Sequence, residues 1–95
     1  MSVRLLAAAQ AELDEAINWY EGQAPGLGAA FLLEAVKAFR RIEQYPDAWH
    51  PMTAEIRRCR LARFPYGVIY AQRQDGILIL AVAHLHREPM HWRNR

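Results

Sequence analysis

The sequence predicts an α+β domain in which an N-terminal helical hairpin packs on a small, mainly antiparallel β-sheet, in the order β-α-α-β-β-β. In the first half of the chain, apolar residues recur every three to four positions, which is the period of a helix with one buried face. In the second half they alternate or run without interruption, which is typical of strands. The period changes around residues 49–51.

Two helices account for the first half of the chain. Residues 9–21 carry one apolar stripe at helical spacing, formed by Leu13, Ala16, Ile17 and Tyr20. Pro25 and Gly26 interrupt this pattern, and a second stripe then covers residues 27–44. Because the connection is short, the two helices are expected to form an antiparallel hairpin.

Three strands follow in the second half. Residues 56–64 alternate in polarity, and residues 67–73 form the next strand. The dipeptide Asp75-Gly76 then predicts a tight hairpin. Residues 77–85 are apolar at nearly every position, which indicates a central strand covered on both faces. Strict alternation along it places one set of side chains on the same face: Leu78, Leu80, Val82, His84 and His86. Residues 2–6 are expected to add a strand beside it.

Length and composition indicate one globular domain over residues 1–95, with 53% hydrophobic residues. Such a composition excludes a disordered chain. The longest uninterrupted apolar run, residues 77–83, is far shorter than the ~20 residues of a membrane-spanning helix, so no membrane association is expected. The single cysteine, Cys59, excludes an internal disulfide and is typical of a reducing compartment. A cytoplasmic protein is therefore expected.

Charge is distributed unevenly along the chain. Residues 1–48 carry a net charge of −3, and residues 49–95 carry +5, with arginine and no lysine as the source of the positive charge. Four arginines fall within seven residues: Arg57, Arg58, Arg60 and Arg63. They either protect a sheet edge or form a face that binds anions, to which Arg87, Arg93 and Arg95 would add.

Three histidines near the end of the chain, His84, His86 and His91, allow several interpretations. His84 and His86 could bind a metal, but no third ligand stands at a telling spacing. The histidines could act as general acids or bases on a phosphodiester held by arginine. They could also be purely structural, bonded to backbone carbonyls. Trp92, close to the C-terminus, is expected to be exposed unless the chain folds back, and to act as an interface residue. Trp19 and Tyr20 are expected in the core or between the helix and the sheet.

Several short motifs occur in a fixed order along almost the whole chain. The first half contains Ala9-x-x-Glu12-Leu13-x-x-Ala16-x-x-Trp19-Tyr20-Glu21 and Pro25-Gly26-Leu27-Gly28-x-x-Phe31. The second half contains Arg57-Arg58, Phe64-Pro65-Tyr66-x-x-x-Tyr70, the run from Ile79 to His84, and Arg87-x-Pro89-x-x-Trp92-x-x-Arg95. Together they resemble the RelE/ParE family of toxins from bacterial toxin–antitoxin pairs, and the ParE-like branch fits best.

This resemblance implies a helical hairpin against a curved antiparallel sheet, and a cognate antitoxin as partner. It leaves two targets open: DNA gyrase, which ParE-like members inhibit without nuclease activity, and ribosome-bound mRNA, which RelE-like members cleave. Gly67 and Trp92 stand where the nucleases tend to place arginine and tyrosine, and no lysine follows Lys37. Because an indole cannot take up a proton at neutral pH, these departures favour the gyrase inhibitor.

The expected function is therefore a ParE-like toxin that binds gyrase and needs no cofactor, metal ion or small-molecule substrate. The residues expected to contact the target or the antitoxin are Arg57, Arg58, Arg60, Arg63, Arg87, Trp92 and Arg93. In the alternative, a ribosome-dependent mRNA endonuclease, the candidate catalytic residues are His84, His86, His91 and Arg87.

Overall fold

A computed structural model describes residues 2–87 and 90–95, so Pro89 of the family motif lies outside the described residues. Its elements are β1 (Val3–Leu5), α1 (Ala7–Gln23), α2 (Leu27–Gln44), β2 (His50–Pro51), β3 (Ile56–Arg60), β4 (Tyr66–Arg73) and β5 (Gly76–His84). The strands form one mixed sheet in the order β1-β5-β4-β3-β2, in which only β1 and β5 are parallel. The predicted α+β class is confirmed, and the short edge strand β2 is an addition to it.

Glu21 ties the helical hairpin together at its turn. Its carboxylate accepts hydrogen bonds from the backbone N–H groups of Gly26 and Gly28, at 3.1 and 3.0 Å. These N–H groups lie at the start of α2, where they have no partner within the helix, and the negative charge also complements the helix dipole. The two helices pack on one face of the sheet, which we call the helix face.

The predicted strands are present, with bounds that differ by one residue in β1, β4 and β5 and by more in β3. The strand predicted over residues 56–64 ends at Arg60, because the chain then turns into the loop that precedes β4. The hairpin turn consists of Gln74 and Asp75, and Gly76 is the first residue of β5. Gly76 has a φ of +133°, and a Cβ there would collide with the carbonyl oxygen of Ser2. Glycine is therefore required at the first residue of β5, directly after the turn, and not as a central residue of the turn as predicted.

A β-bulge in β5 overturns the predicted alternation of that strand. Ile69 pairs with Ala81, and the next residue of β4, Tyr70, pairs with Ile79, so Leu80 is an extra residue. The bulge places both Leu80 and Ala81 on the face opposite the helices and returns Val82 to the helix face. The prediction that Leu78, Leu80, Val82, His84 and His86 share one face is therefore wrong beyond Leu80. The predicted burial of both faces is confirmed for residues 77–82.

The opposite face, which we call the tail face, is covered by residues 90–95. Trp92 is only 2% exposed and packs with Ile69, Leu78, Leu80 and Ala81. The prediction that Trp92 is exposed is wrong, because the segment after β5 folds back across the sheet and uses the indole to cover its apolar surface. Over residues 2–87 and 90–95, no helix is long and apolar enough to span a membrane.

Candidate functional site

A groove of about 550 Å³ runs between α1 and the end of β5. Two elements form its walls because the sheet is incomplete there. β1 pairs with β5 only as far as Ile79, and the chain then turns into α1, so α1 faces the following residues of β5 in place of a strand. The groove is lined by Glu12, Glu15, Ala16, Trp19, Tyr66, Val82, Ala83, His84, Arg87 and His91.

Glu12 is the central polar residue of this groove. Its carboxylate accepts a hydrogen bond from the backbone N–H of Val82 at 3.1 Å and contacts Nε2 of His91 at 2.7 Å. Arg95 donates to both carboxylate oxygens, at 2.8 and 3.2 Å, and also to the carbonyl oxygen of Leu80 at 3.1 Å. Glu12 and Arg95 thus satisfy backbone groups of the bulge that have no strand partner, and they fasten the C-terminal segment to α1.

These contacts determine the ionisation of Glu12. Partial burial alone would raise the pKa of its carboxyl, but the hydrogen bonds from Arg95, His91 and the Val82 N–H outweigh burial and lower the pKa below its ordinary value. Glu12 is therefore charged at neutral pH. Sequence reasoning quoted Glu12 only as part of the family motif, since its partners lie about 70 to 80 residues away in the chain.

We expect Glu12 to make folding stability sensitive to acid. A carboxyl with a lowered pKa in the folded state contributes stability above its unfolded pKa of about 4.5, and that contribution is lost as pH falls through the folded value. Urea denaturation between pH 7 and pH 3 should show a smaller loss of stability in Glu12→Gln than in the wild type. Asp14→Asn, on the same helix but exposed, is the control and should follow the wild type. Equal losses in all three proteins would contradict this role.

The basic side of the groove contains Arg87 and His84. The imidazole of His84 lies against the Tyr66 ring, with centroids 5.2 Å apart. Partial burial, the charge of Arg87 and the nearby His86 lower the pKa of His84, so the ring is neutral at pH 7. Burial raises the pKa of the Tyr66 phenol, which therefore stays protonated.

The four predicted catalytic candidates are only partly brought together. His84, Arg87 and His91 line the groove, but Glu12 holds His91. His86 is exposed beyond the end of β5, with its ring 5.8 Å from that of His84. Within residues 2–87 and 90–95, no three His, Cys, Asp or Glu side chains are placed to share a metal ion.

The four arginines around β3 do not form one surface. The buried Cys59 faces the helices, and Arg57, on the same side of the strand, donates to the carbonyl oxygen of Trp49 at 2.9 Å. Arg58 and Arg60 lie on the tail face, while Arg63 lies in the following loop over the Phe64 ring. Arg93 is exposed in the C-terminal segment.

Trp19 is the exposed apolar residue that sequence reasoning placed in the core. It is 55% exposed at the edge of the groove, whereas its neighbour Tyr20 packs against Phe31, Phe64 and Tyr66. The two residues are adjacent on a helix, so they point about 100° apart and only one of them can face the sheet. An exposed tryptophan beside an arginine is typical of a protein–protein interface.

The fold and this groove can be compared with known proteins. A family model described as "ParE toxin of type II toxin-antitoxin system, parDE" matches residues 3–89. The chain belongs to this toxin family. The ParE toxin is also similar in fold to a chain of a solved structure, the chromosomal ParDE TA system from P. aeruginosa, with a TM-score of 0.64 and 19% sequence identity. The similarity covers 90% of this chain and 97% of that one. A search among curated proteins finds no match.

Family membership confirms the resemblance stated from the sequence motifs. The protein is the toxin component of a type II toxin–antitoxin system. The match begins at β1 and ends after β5, so it covers both walls of the groove, including Glu12, Trp19, His84 and Arg87. The C-terminal segment with Trp92 and Arg95 lies beyond the matched residues.

Proposed function

We propose that this ParE toxin inhibits DNA gyrase by binding, and that a cognate antitoxin silences it by covering the groove between α1 and β5. The observation that carries the proposal is the groove itself, which combines an exposed tryptophan, Trp19, with the positive charge of Arg87 on the same surface. Such a surface is suited to a protein partner. Its site of action is then the cytoplasm, where gyrase acts.

The antitoxin is expected to bring an acidic segment that becomes ordered on binding. The basic half of the toxin would attract such a segment, and an apolar side chain of the segment would cover Trp19. The carboxylates Glu12 and Glu15 line the opposite side of the groove, but Glu12 is already neutralised by Arg95 and His91. Arg87, which makes no ion pair with a residue of the ranges 2–87 and 90–95, can therefore receive an acidic residue of the partner.

A second function, ribosome-dependent mRNA cleavage, is favoured by one observation. His84 is neutral at pH 7 and lies near Arg87, which is the pairing that a general base and a phosphate-binding residue require. Against it, the phenol of Tyr66 stays protonated and Trp92 is buried in the tail face, so neither can take a proton from a 2′-hydroxyl.

Arg87→Gln tests the proposed surface. We expect it to weaken both gyrase inhibition and antitoxin affinity by roughly 30-fold, which corresponds to the ~2 kcal/mol typical of an interface anchor. The measurements are the toxin concentration that halves DNA supercoiling and the antitoxin dissociation constant by calorimetry. Arg73→Gln removes the same charge from an exposed position at the end of β4 that lies away from Tyr66 and the groove. It should leave gyrase inhibition and antitoxin affinity unchanged. If the two variants behave alike, the groove is not the binding surface.

A further inference from the structure

We propose that a small cavity on the tail face binds a single phosphate group. The cavity adjoins the groove and shares Ala83, His84, Arg87 and His91 with it, whereas Arg58, Ile69 and Trp92 line the cavity alone. The cavity has a volume of about 80 Å³ and lies between β3, the end of β5 and the C-terminal segment. Arg58 lines it from β3 and Arg87 from the segment after β5, while Ile69 and Trp92 contribute apolar walls. Its volume is several times that needed for one water molecule, but too small for a nucleoside.

Arg58, which lines this cavity, has an unsatisfied donor. Its Nε is buried and has no hydrogen-bond partner within residues 2–87 and 90–95. Buried donors are almost always paired, and an unpaired one costs free energy that a bound acceptor would recover. Burial and the neighbouring charge of Arg60 lower the pKa of the Arg58 guanidinium, so a bound anion would also relieve an unfavourable positive charge.

Gly67 makes the position of Arg58 possible. In the sheet register Arg58 pairs with Ile69, and Gly67 is the diagonal neighbour on the same face. A Cβ at residue 67 would lie 2.9 Å from both Cγ and Cδ of Arg58, which is closer than such carbons can approach. The side chain of Arg58 therefore lies flat across β4 through the space left by the glycine. This gives a structural reason for glycine at the position where the related nucleases tend to carry arginine.

The charge around the cavity favours an anion with more than two oxygens. Two guanidinium groups approach from different elements, and among the described residues that line the cavity there is no carboxylate. Glu12 is bound to His91 and Arg95 in the neighbouring groove. A carboxylate would occupy one guanidinium with both of its oxygens, whereas a tetrahedral phosphate can accept hydrogen bonds from both arginines at once. The phosphate can come from free inorganic phosphate or from a nucleic-acid backbone.

Titration with inorganic phosphate, followed by nuclear magnetic resonance, tests the site. The Nε–H signal of Arg58 and the indole N–H signal of Trp92 should shift and saturate in the wild type and in Arg73→Gln, which loses the same charge at a distance. Arg58→Gln should weaken the phosphate affinity, measured from the Trp92 signal, at least 10-fold. Gly67→Ala keeps every charge but displaces the flexible Arg58 side chain, and it should weaken binding to a similar extent. Dispersed amide spectra confirm that each variant is folded.

Two further titrations identify the source of the phosphate. At equal ionic strength, acetate should bind at least 10-fold more weakly than inorganic phosphate. If a short single-stranded oligothymidine shifts the same two signals, and Gly67→Ala weakens its binding, a backbone phosphate is the ligand. If only inorganic phosphate shifts them, the free ion is the ligand. The proposal is overturned if the shifts do not saturate, if acetate binds equally well, or if Gly67→Ala binds like the wild type.

Discussion

We expect Leu80→Asp to abolish the cooperative unfolding transition. Leu80 is the extra residue of the β5 bulge, is 1% exposed, and packs on the tail face with Trp92. An aspartate there would be buried without a partner, because Arg95 binds the Leu80 backbone carbonyl and is held by Glu12. Burying an unpaired charge costs several kcal/mol, against a total stability of ~5–15 kcal/mol for a typical domain.

Thermal unfolding followed by circular dichroism measures this effect. Leu33→Asp makes the same chemical change on α2 at a position that is 53% exposed, so its stability should stay within about 0.5–1 kcal/mol of the wild type. A cooperative transition near the wild-type temperature in Leu80→Asp would mean that β5 is not the buried central strand.

We expect Trp92→Ala to destabilise the fold by about 3–5 kcal/mol, the range for removing a fully buried large aromatic residue. The loss has two parts: the apolar area of the indole, and the exposure of the tail face that it covers. Because Trp92 lies between His91 and Arg95, which both contact Glu12, the variant should also loosen the C-terminal segment.

Urea denaturation of Trp92→Ala is best compared with Trp19→Ala. Both variants remove an indole, but Trp19 is largely exposed, so its removal should change stability by less than about 1 kcal/mol. If the ranking is reversed, the C-terminal segment does not cover the sheet. If Trp92→Ala is destabilised as expected, any loss of gyrase inhibition should follow from its loss of stability. The indole is buried and cannot itself contact a partner.

The elements of the fold were predictable because they depend on local patterns. The period of 3.6 gave both helices, and α2 begins and ends at the predicted residues 27 and 44. The bulge at Leu80 was not predictable, since a run of apolar residues looks the same with or without an extra residue in the pairing. The error in the alternation of β5 follows directly from this. The position of Trp92 depends on the chain folding back, which local periodicity does not encode.

The candidate site was predictable only in part. Arg87 and His84 were selected for their chemistry, and both line the groove. Glu12 was missed because its role depends on Arg95 and His91, which are distant in sequence. The alternation of residues 56–64 already predicts that Arg58 and Arg60 face away from Arg63, although all four arginines were named as one candidate binding face. The end of β3 at Arg60, which leaves Arg63 in the following loop, was not predicted. Charge density in a sequence does not show which face of a sheet receives each charge.

The central claim is that this toxin acts on DNA gyrase by binding. The most direct measurement places the purified protein in two reactions, gyrase-catalysed supercoiling of a relaxed plasmid and translation of an mRNA on programmed ribosomes. The account predicts that the toxin blocks supercoiling, that the cognate antitoxin restores it, and that the mRNA stays intact at the same toxin concentration. Intact supercoiling together with ribosome-dependent mRNA cleavage that is lost in His84→Gln would contradict it.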